Sequence, residues 1–173
     1  QAESVFGELI LLRHAKSAWP VGIRDIDRPL SGRGVRDAGR FGELLAADSV
    51  VPDVVICSPA VRTRETWQLV ADHAGIDPLL AQVDPQLYGA TWWDVLDVVR
   101  ELAPNVGRAL IIGHNPSMED LAGQLAGTGS NSDAVRHLRA KFPTCGAAFL
   151  EGDEQWNRWG GNCASLKRFW TPR

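Results

Sequence analysis

The chain has 173 residues, of which 45% are hydrophobic and 23% charged, and a formal net charge of -3. That length suits one domain whose core needs neither disulfides nor a structural metal, and the slightly acidic balance gives no global field for nucleic acid or an anionic membrane. The three cysteines form no C-x-x-C pair, no apolar run approaches a membrane span, and Gln1 to Gly7 lacks the basic and apolar regions of a signal peptide. These features predict a cytoplasmic protein with no nucleic-acid or membrane partner, organised as one domain over 1–173 with residues 1–7 loosely ordered.

The apolar run Leu9 to Leu12 predicts a buried strand. Ser31 reads as an N-cap, followed by apolar residues at helical spacing: Val35, Ala38, Phe41, Leu44 and Leu45. Val54 to Cys57 is a second strand, and Ser58-Pro59 predicts the cap and first position of a helix that runs to about His73 and stops at Gly75. Thr91 with Asp94 forms a capping box before Val95, Leu96, Val98, Val99 and Leu102. Ala109 to Ile112 is a third strand, and Asn115-Pro116 repeats the cap-plus-proline pattern before a helix to about Ala126. Gly127 to Asp133 reads as a flexible loop, Ala134 to Ala140 as a short helix, and Gly146 to Glu151 and Ala164 to Trp170 as the last strands. The alternation predicts an α/β fold, a single three-layer α/β/α domain with a mostly parallel central sheet.

Three of these segments place cationic or imidazole side chains where open α/β sheets bind ligands, outside the carboxyl ends of the strands. Arg13 and His14 end the first strand, Arg62 lies just past the second, and His114 follows the third. Two of the segments also open helices, whose free N–H groups favour an anion. In an acidic protein, the convergence of Arg13, Arg62, His14 and His114 predicts a phosphoryl-binding pocket. Arginine offers charged, planar, bidentate donors to phosphoryl oxygens. A neutral histidine can attack phosphorus and divide one hydrolysis into two transfers, provided its pKa is depressed and its other nitrogen is held by a backbone carbonyl. Lys16, Ser17, Trp19 and Asn115 are candidates for contacting substrate.

The residues also resemble a known family. Leu11-Leu12-Arg13-His14-Ala15 is similar to the strand–Arg-His-Gly signature of the histidine phosphatase superfamily, whose fold is phosphoglycerate mutase-like. Pro29-Leu30-Ser31-Gly32-Arg33-Gly34 resembles its P-L-T/S-x-x-G turn, Ser58 to Thr66 its S-x-x-x-R-A-x-x-T segment, and Gly113-His114-Asn115 its late G-H segment. The four stretches occur in the family's order. The short length, the Gly-His-Asn-Pro form and the tail segments Lys141–Thr144 and Phe169–Arg173 resemble the SixA-type phosphohistidine phosphatases. The resemblance implies that His14 is the nucleophile that becomes phosphohistidine, that Arg13 and Arg62 clamp the phosphate, and that His114 is the second histidine of the pocket. Arg64 is a rival for the second clamp, but the register from Ser58 favours Arg62.

Where larger members carry a glutamate before a Tyr-Gly-like segment, Gln86-Leu87-Tyr88-Gly89 has none, and Asp84 is the nearest carboxylate and the candidate proton donor. Without a firm acid an alkoxide is hard to expel, whereas the imidazole of a phosphoramidate is easier to protonate. The expected activity is therefore that of a phosphatase acting on a phosphohistidine protein. A phosphatase for small phosphorylated metabolites is the first alternative and a non-catalytic phosphoprotein-binding module the second.

Other chemistries fit poorly. A cysteine phosphatase needs C-x5-R, but that register from Cys57 lands on Thr63, and no P-loop, H-E-x-x-H or G-x-S-x-G is present. No cofactor and no metal are expected, since the adjacent arginines repel a cation. His73 and His137 read as surface helix residues. Arg136, Arg139 and Lys141 read as a solvated face, or as a rim that meets an acidic partner. Asp25, Asp27 and Arg28 read as a polar loop near the entrance.

Overall fold

The structure, a computed structural model, describes residues 7–173. A six-stranded sheet has the order β3-β2-β4-β1-β5-β6, formed by β1 (Gly7–Arg13), β2 (Val54–Cys57), β3 (Ala81–Val83), β4 (Arg108–Gly113), β5 (Ala147–Gly152) and β6 (Ala164–Trp170). The pairs β1–β4, β2–β4 and β2–β3 are parallel, while β5 runs antiparallel to both β1 and β6. Among the described residues, five α-helices cover the sheet: α1 (Gly32–Ala47), α2 (Val61–Ala74), α3 (Trp92–Arg100), α4 (Ser117–Leu125) and α5 (Ser132–Ala140).

The run Leu9–Leu12 is apolar at every position because both faces of β1 are covered. Leu9 and Leu11 join one core with α3, α4 and α5; Ile10 and Leu12 join the other with α1 and α2. All four are at most 2% exposed, so each contributes about 1.5–3 kcal/mol of hydrophobic stabilisation. These two cores make the three-layer α/β/α architecture, and they fix β1 and β4 side by side at its centre.

Local chemistry sets the helix ends. Ser31 caps α1 by accepting from Gly34 N, and the Thr91–Asp94 capping box opens α3. Gly75 ends α2 in the left-handed region at φ 73°, where a β-carbon is disfavoured. Gly34 has a different reason to be glycine: a β-carbon there would lie 2.1 Å from the Lys16 carbonyl oxygen.

Several boundaries differ from the sequence-based expectation. Neither Ser58 nor Asn115 is an N-cap: α2 starts at Val61 after Ala60, and α4 starts at Ser117 after Pro116, with a cis Asn115–Pro116 peptide. The Ser58 hydroxyl is engaged elsewhere, as described below, whereas Asn115 Oδ1 still accepts from Glu119 N in the first turn of α4. The three-residue edge strand β3 was not expected, being too short to show a pattern. Gly7 is the first residue of β1 rather than part of a loose segment, and residues 1–6 lie outside the described residues.

The loop after α4 is tied down. Gly127 N and Asn131 N donate to the carbonyls of Ala164 and Leu166 at the start of β6, and Ser130 Oγ accepts from Leu166 N. That end of β6 lies beside the start of β1 through β5, so this loop sits at the opposite end of the sheet from Arg13. Among the described residues, no helix is long and apolar enough to cross a membrane.

Candidate active site

The connection after β1 leads toward β2, whereas that after β4 leads toward β5 on the other side. Neighbouring strands whose connections diverge open a crevice at their carboxyl ends. His14 and His114 leave the two strands here, where Arg13 pairs with Gly113 and His14 N donates to the Gly113 carbonyl. Their ring centroids are 5.3 Å apart. On the far side of β4, β2 ends at Cys57 and the first turn of α2 carries Arg62. A cavity of about 240 Å³ collects Arg13, His14, Lys16, Ser17, Trp19, Arg28, Arg62, His114, Asn115 and Thr144. Every expected site residue except Asp84 lines it.

His14 is buried, and its Nδ1–H donates to the Ala15 carbonyl at 2.7 Å. A carbonyl only accepts, so this bond fixes the proton on Nδ1 and leaves the lone pair on Nε2. Burial, reinforced by the neighbouring His114, Arg62 and Arg13, brings His14 down to about 3, against the opposing pull of the Ala15 hydrogen bond. Thr66 holds the loop from below: its hydroxyl accepts from Ala15 N at 3.0 Å and donates to the Arg62 carbonyl at 2.7 Å.

His114 is brought to about 4, mainly by burial and then by Arg62. Its Nε2 lies 2.8 Å from Ser58 Oγ. Ser58 is fully buried and already accepts from Ala60 N. A buried hydroxyl proton requires an acceptor, and His114 Nε2 is the one within reach. The neutral ring then carries its proton on Nδ1, available to an oxyanion. Ser58 was read as a helix cap; its strand-end position was the only sequence signal for this second role.

The two arginines have incomplete partners. Arg13 Nη1 donates to the Phe142 carbonyl at 2.9 Å, and Arg62 donates through Nη1 to the Asp25 carbonyl at 2.7 Å and through Nη2 to Asp25 Oδ2 at 3.1 Å. The Nε–H of each is buried without a partner among the described residues. Two buried donors without a protein partner, on guanidinium groups flanking His14, match a bound oxyanion. Arg64 is exposed and donates to the Pro59 carbonyl, so it is not the second clamp.

Arg28, read only as part of a polar loop, supplies a third buried guanidinium. It donates to Ser17 Oγ at 2.7 Å and to Asp25 Oδ1 at 3.1 Å, and its guanidinium carbon lies 3.4 Å from the Trp19 ring centroid. Trp19 is 73% exposed and forms an outer wall. Asp25 also accepts from the Tyr88 hydroxyl at 2.6 Å. That bond, followed by those from Arg62 and Arg28, holds Asp25 down to about 2, despite partial desolvation. Asn115 Nδ2 donates to the Phe142 carbonyl and to Glu119, which steadies the wall that carries Arg13's acceptor.

Asp84 does not join the site. Its carboxylate accepts from Gln86 N at 2.9 Å and caps the short turn Pro85–Leu87 at the end of β3. Among the described residues, no group of three or more His, Cys, Asp and Glu side chains could hold a metal ion.

The site's burial carries a measurable cost in acid. Free histidine titrates near 6.5, and His14 and His114 fall to about 3 and about 4 in the folded protein. The unfolded chain therefore binds more protons between those values. The histidines' full contribution to stability is present above pH 6.5 and is lost as pH falls toward 3. Denaturant midpoints should decline from pH 6.5 to 5, and a His14→Gln variant should decline less steeply. Parallel slopes for the two proteins would contradict the buried neutral His14.

Comparison with known proteins agrees with this geometry. The family model for the histidine phosphatase superfamily (branch 1) matches residues 9–94. An uncharacterised protein of Mycobacterium tuberculosis is 40% identical over 163 residues, covering 94% of this chain and all of the relative. A candidate phosphohistidine phosphatase SixA from Nakamurella multipartitia superposes with a TM-score of 0.84 at 29% identity, over 96% of each chain. One from Agrobacterium tumefaciens superposes with a TM-score of 0.79 at 30% identity, over 96% of this chain and 98% of its own.

Proposed function

The chain belongs to the histidine phosphatase superfamily and is a phosphatase; on that premise we propose that it hydrolyses phosphohistidine in proteins through a phosphorylated His14. His14 Nε2 attacks phosphorus, and its bond to phosphorus forms as the substrate's P–N bond breaks. Water then attacks phospho-His14, releasing inorganic phosphate and restoring the neutral ring. Arg13 and Arg62 take the equatorial oxygens through their free Nε–H groups, and His114 donates its Nδ1–H. Each such preorganised donor is worth about 3–4 kcal/mol of barrier. Lys16, Ser17, Trp19 and Asn115 line the approach.

Among the described residues no carboxylic acid lines the cavity, and the nearby Glu119 accepts from Asn115; this supports the substrate assignment. Asp84 is committed to a turn, and Asp25 is a carboxylate at any pH well above about 2. Tyr88 directs its proton at Asp25 rather than at a leaving group. An alkoxide would depart unprotonated, which is slow, whereas a phosphorylated imidazole can leave as a neutral ring after protonation from solvent. Phosphohistidine peptide should therefore be hydrolysed at least about 100-fold faster than unactivated alkyl phosphates such as phosphoserine peptide or glycerol phosphate, since general acid catalysis is worth about 10²–10⁴. Comparable turnover across that panel would replace this reading with that of a small-phosphoester phosphatase.

A further inference from the structure

A second cavity, of about 460 Å³, lies against Arg33 of α1, His137 of α5, Lys141 and Arg173, with Phe169 and Pro172 as apolar lining. Its charge is unbalanced. Asp37, fully buried, is the carboxylate paired with the two arginines: Arg173 donates to it at 2.6 and 3.0 Å, and Arg33 lies 3.7 Å away. Among the described residues, Lys141 and His137 have no carboxylate within 4 Å. Among the described side chains, one buried carboxylate therefore stands against two arginines and a lysine, with the His137 imidazole beside them.

This basic cavity adjoins the phosphoryl pocket on two sides. The segment from Lys141 to Thr144 is a shared wall: Lys141 and Pro143 face the basic cavity, Thr144 faces the phosphoryl pocket, and the Phe142 carbonyl between them accepts from Arg13. On the other side, Lys16 lines the phosphoryl pocket while its carbonyl accepts from the backbone N–H and hydroxyl of Ser31, the cap of the helix that carries Arg33.

We propose that the basic cavity is a second subsite, which receives acidic side chains flanking the phosphorylated residue of a protein substrate. The inference rests on the phosphohistidine-protein reading above and adds the class of sequence that the enzyme selects. A concave, cationic surface with apolar lining focuses a positive field, and its place one segment away from the phosphoryl pocket suits a group carried on the same chain as the phosphate. A small phosphorylated metabolite would leave it empty.

The test uses two phosphohistidine peptides that differ only in flanking glutamates or glutamines, with wild type and the Arg33→Gln, Lys141→Gln double variant. Arg173 continues to hold Asp37 in that variant. Wild type should favour the acidic peptide by about three- to tenfold in kcat/KM at low ionic strength, as expected for a few partly exposed ion pairs. The preference should shrink in about 0.5 M salt and vanish in the double variant. Hydrolysis of p-nitrophenyl phosphate and the unfolding midpoint should stay unchanged. Indifference of wild type to the flanks, or a preference that survives in the variant, overturns the inference. If neither peptide is hydrolysed, the phosphohistidine reading fails on its own. The dissociation constants of the two peptides then decide the subsite: equal values discard it, and tighter binding of the acidic peptide, lost in the variant, retains it.

Discussion

Replacing His14 with alanine is expected to lower turnover of a phosphohistidine peptide by about 10⁴-fold or more, the scale on which removal of a nucleophile acts in other covalent mechanisms. The magnitude follows from the way the ring is held. Nδ1–H is committed to the Ala15 carbonyl, and burial among cations keeps Nε2 unprotonated down to about pH 3. No other side chain in the cavity combines a lone pair with this placement: His114 Nε2 is taken by Ser58, and Lys16 is a cation on the rim. The same depressed pKa makes a second observable: kcat should not fall as pH drops through 6.5, where an ordinary histidine would be lost to protonation. A His14→Ala protein that melts normally and retains more than a few per cent of the rate would contradict the assignment.

Arg62→Ala is expected to cost about 10²–10³-fold in kcat, the usual consequence of removing one preorganised donor from a transition-state oxyanion. Arg62 is buried, and Asp25 already fixes its Nη1 and Nη2, so its Nε–H is presented without reorganisation. Lysine should not rescue the loss, because a point charge cannot both hold Asp25 and meet a phosphoryl oxygen. Arg64→Ala is the internal control. Two positions further along α2, that guanidinium is exposed and bonded to the Pro59 carbonyl, and its loss should leave kcat unchanged. Equal losses at Arg62 and Arg64 would mean that the clamp is misassigned.

Much of this site was legible in the sequence because it is built at strand ends. Short apolar runs mark the buried strands, and the residue after each run falls at the carboxyl edge, so Arg13, His14 and His114 could be placed without a structure. Arg62 stood near the end of β2 in the sequence, and the resemblance to the family's S-x-x-x-R segment chose it over Arg64. Long-range partners had no such signal. Asp25 links Arg28, Arg62 and Tyr88 across 63 residues of chain, and nothing periodic in the sequence announces a loop that folds back over a helix start. Asp84 drew attention for its position near Tyr88, but its carboxylate is consumed locally by a turn, as happens often to aspartate followed by proline and a free backbone N–H.

The sheet was readable to a similar depth. Apolar runs flanked by helices correctly implied parallel pairing through β1, β2 and β4. The reversal at β5 depends on a tertiary event: the chain after α5 returns along β1 in the opposite direction and then pairs with β6 around a register shift at Phe149/Leu150. Ser58 shows how context redirects a capping signal: a good N-cap residue before proline, it is bonded to His114 instead. Asn115 sits one position ahead of the cap, where its Oδ1 still accepts from Glu119 N in the first turn of α4 while its amide donates to the Phe142 carbonyl. Both the Ser58 and the Phe142 bonds support the active site.

The most direct test of the mechanism is a rapid-quench experiment with phosphohistidine peptide, stopped in alkali and read by intact mass and peptide mapping. A transient phosphoryl adduct should appear that is labile to acid, maps to His14 and is missing from His14→Ala. Product formation by wild type with no adduct at any time, or an adduct on another residue, would contradict it.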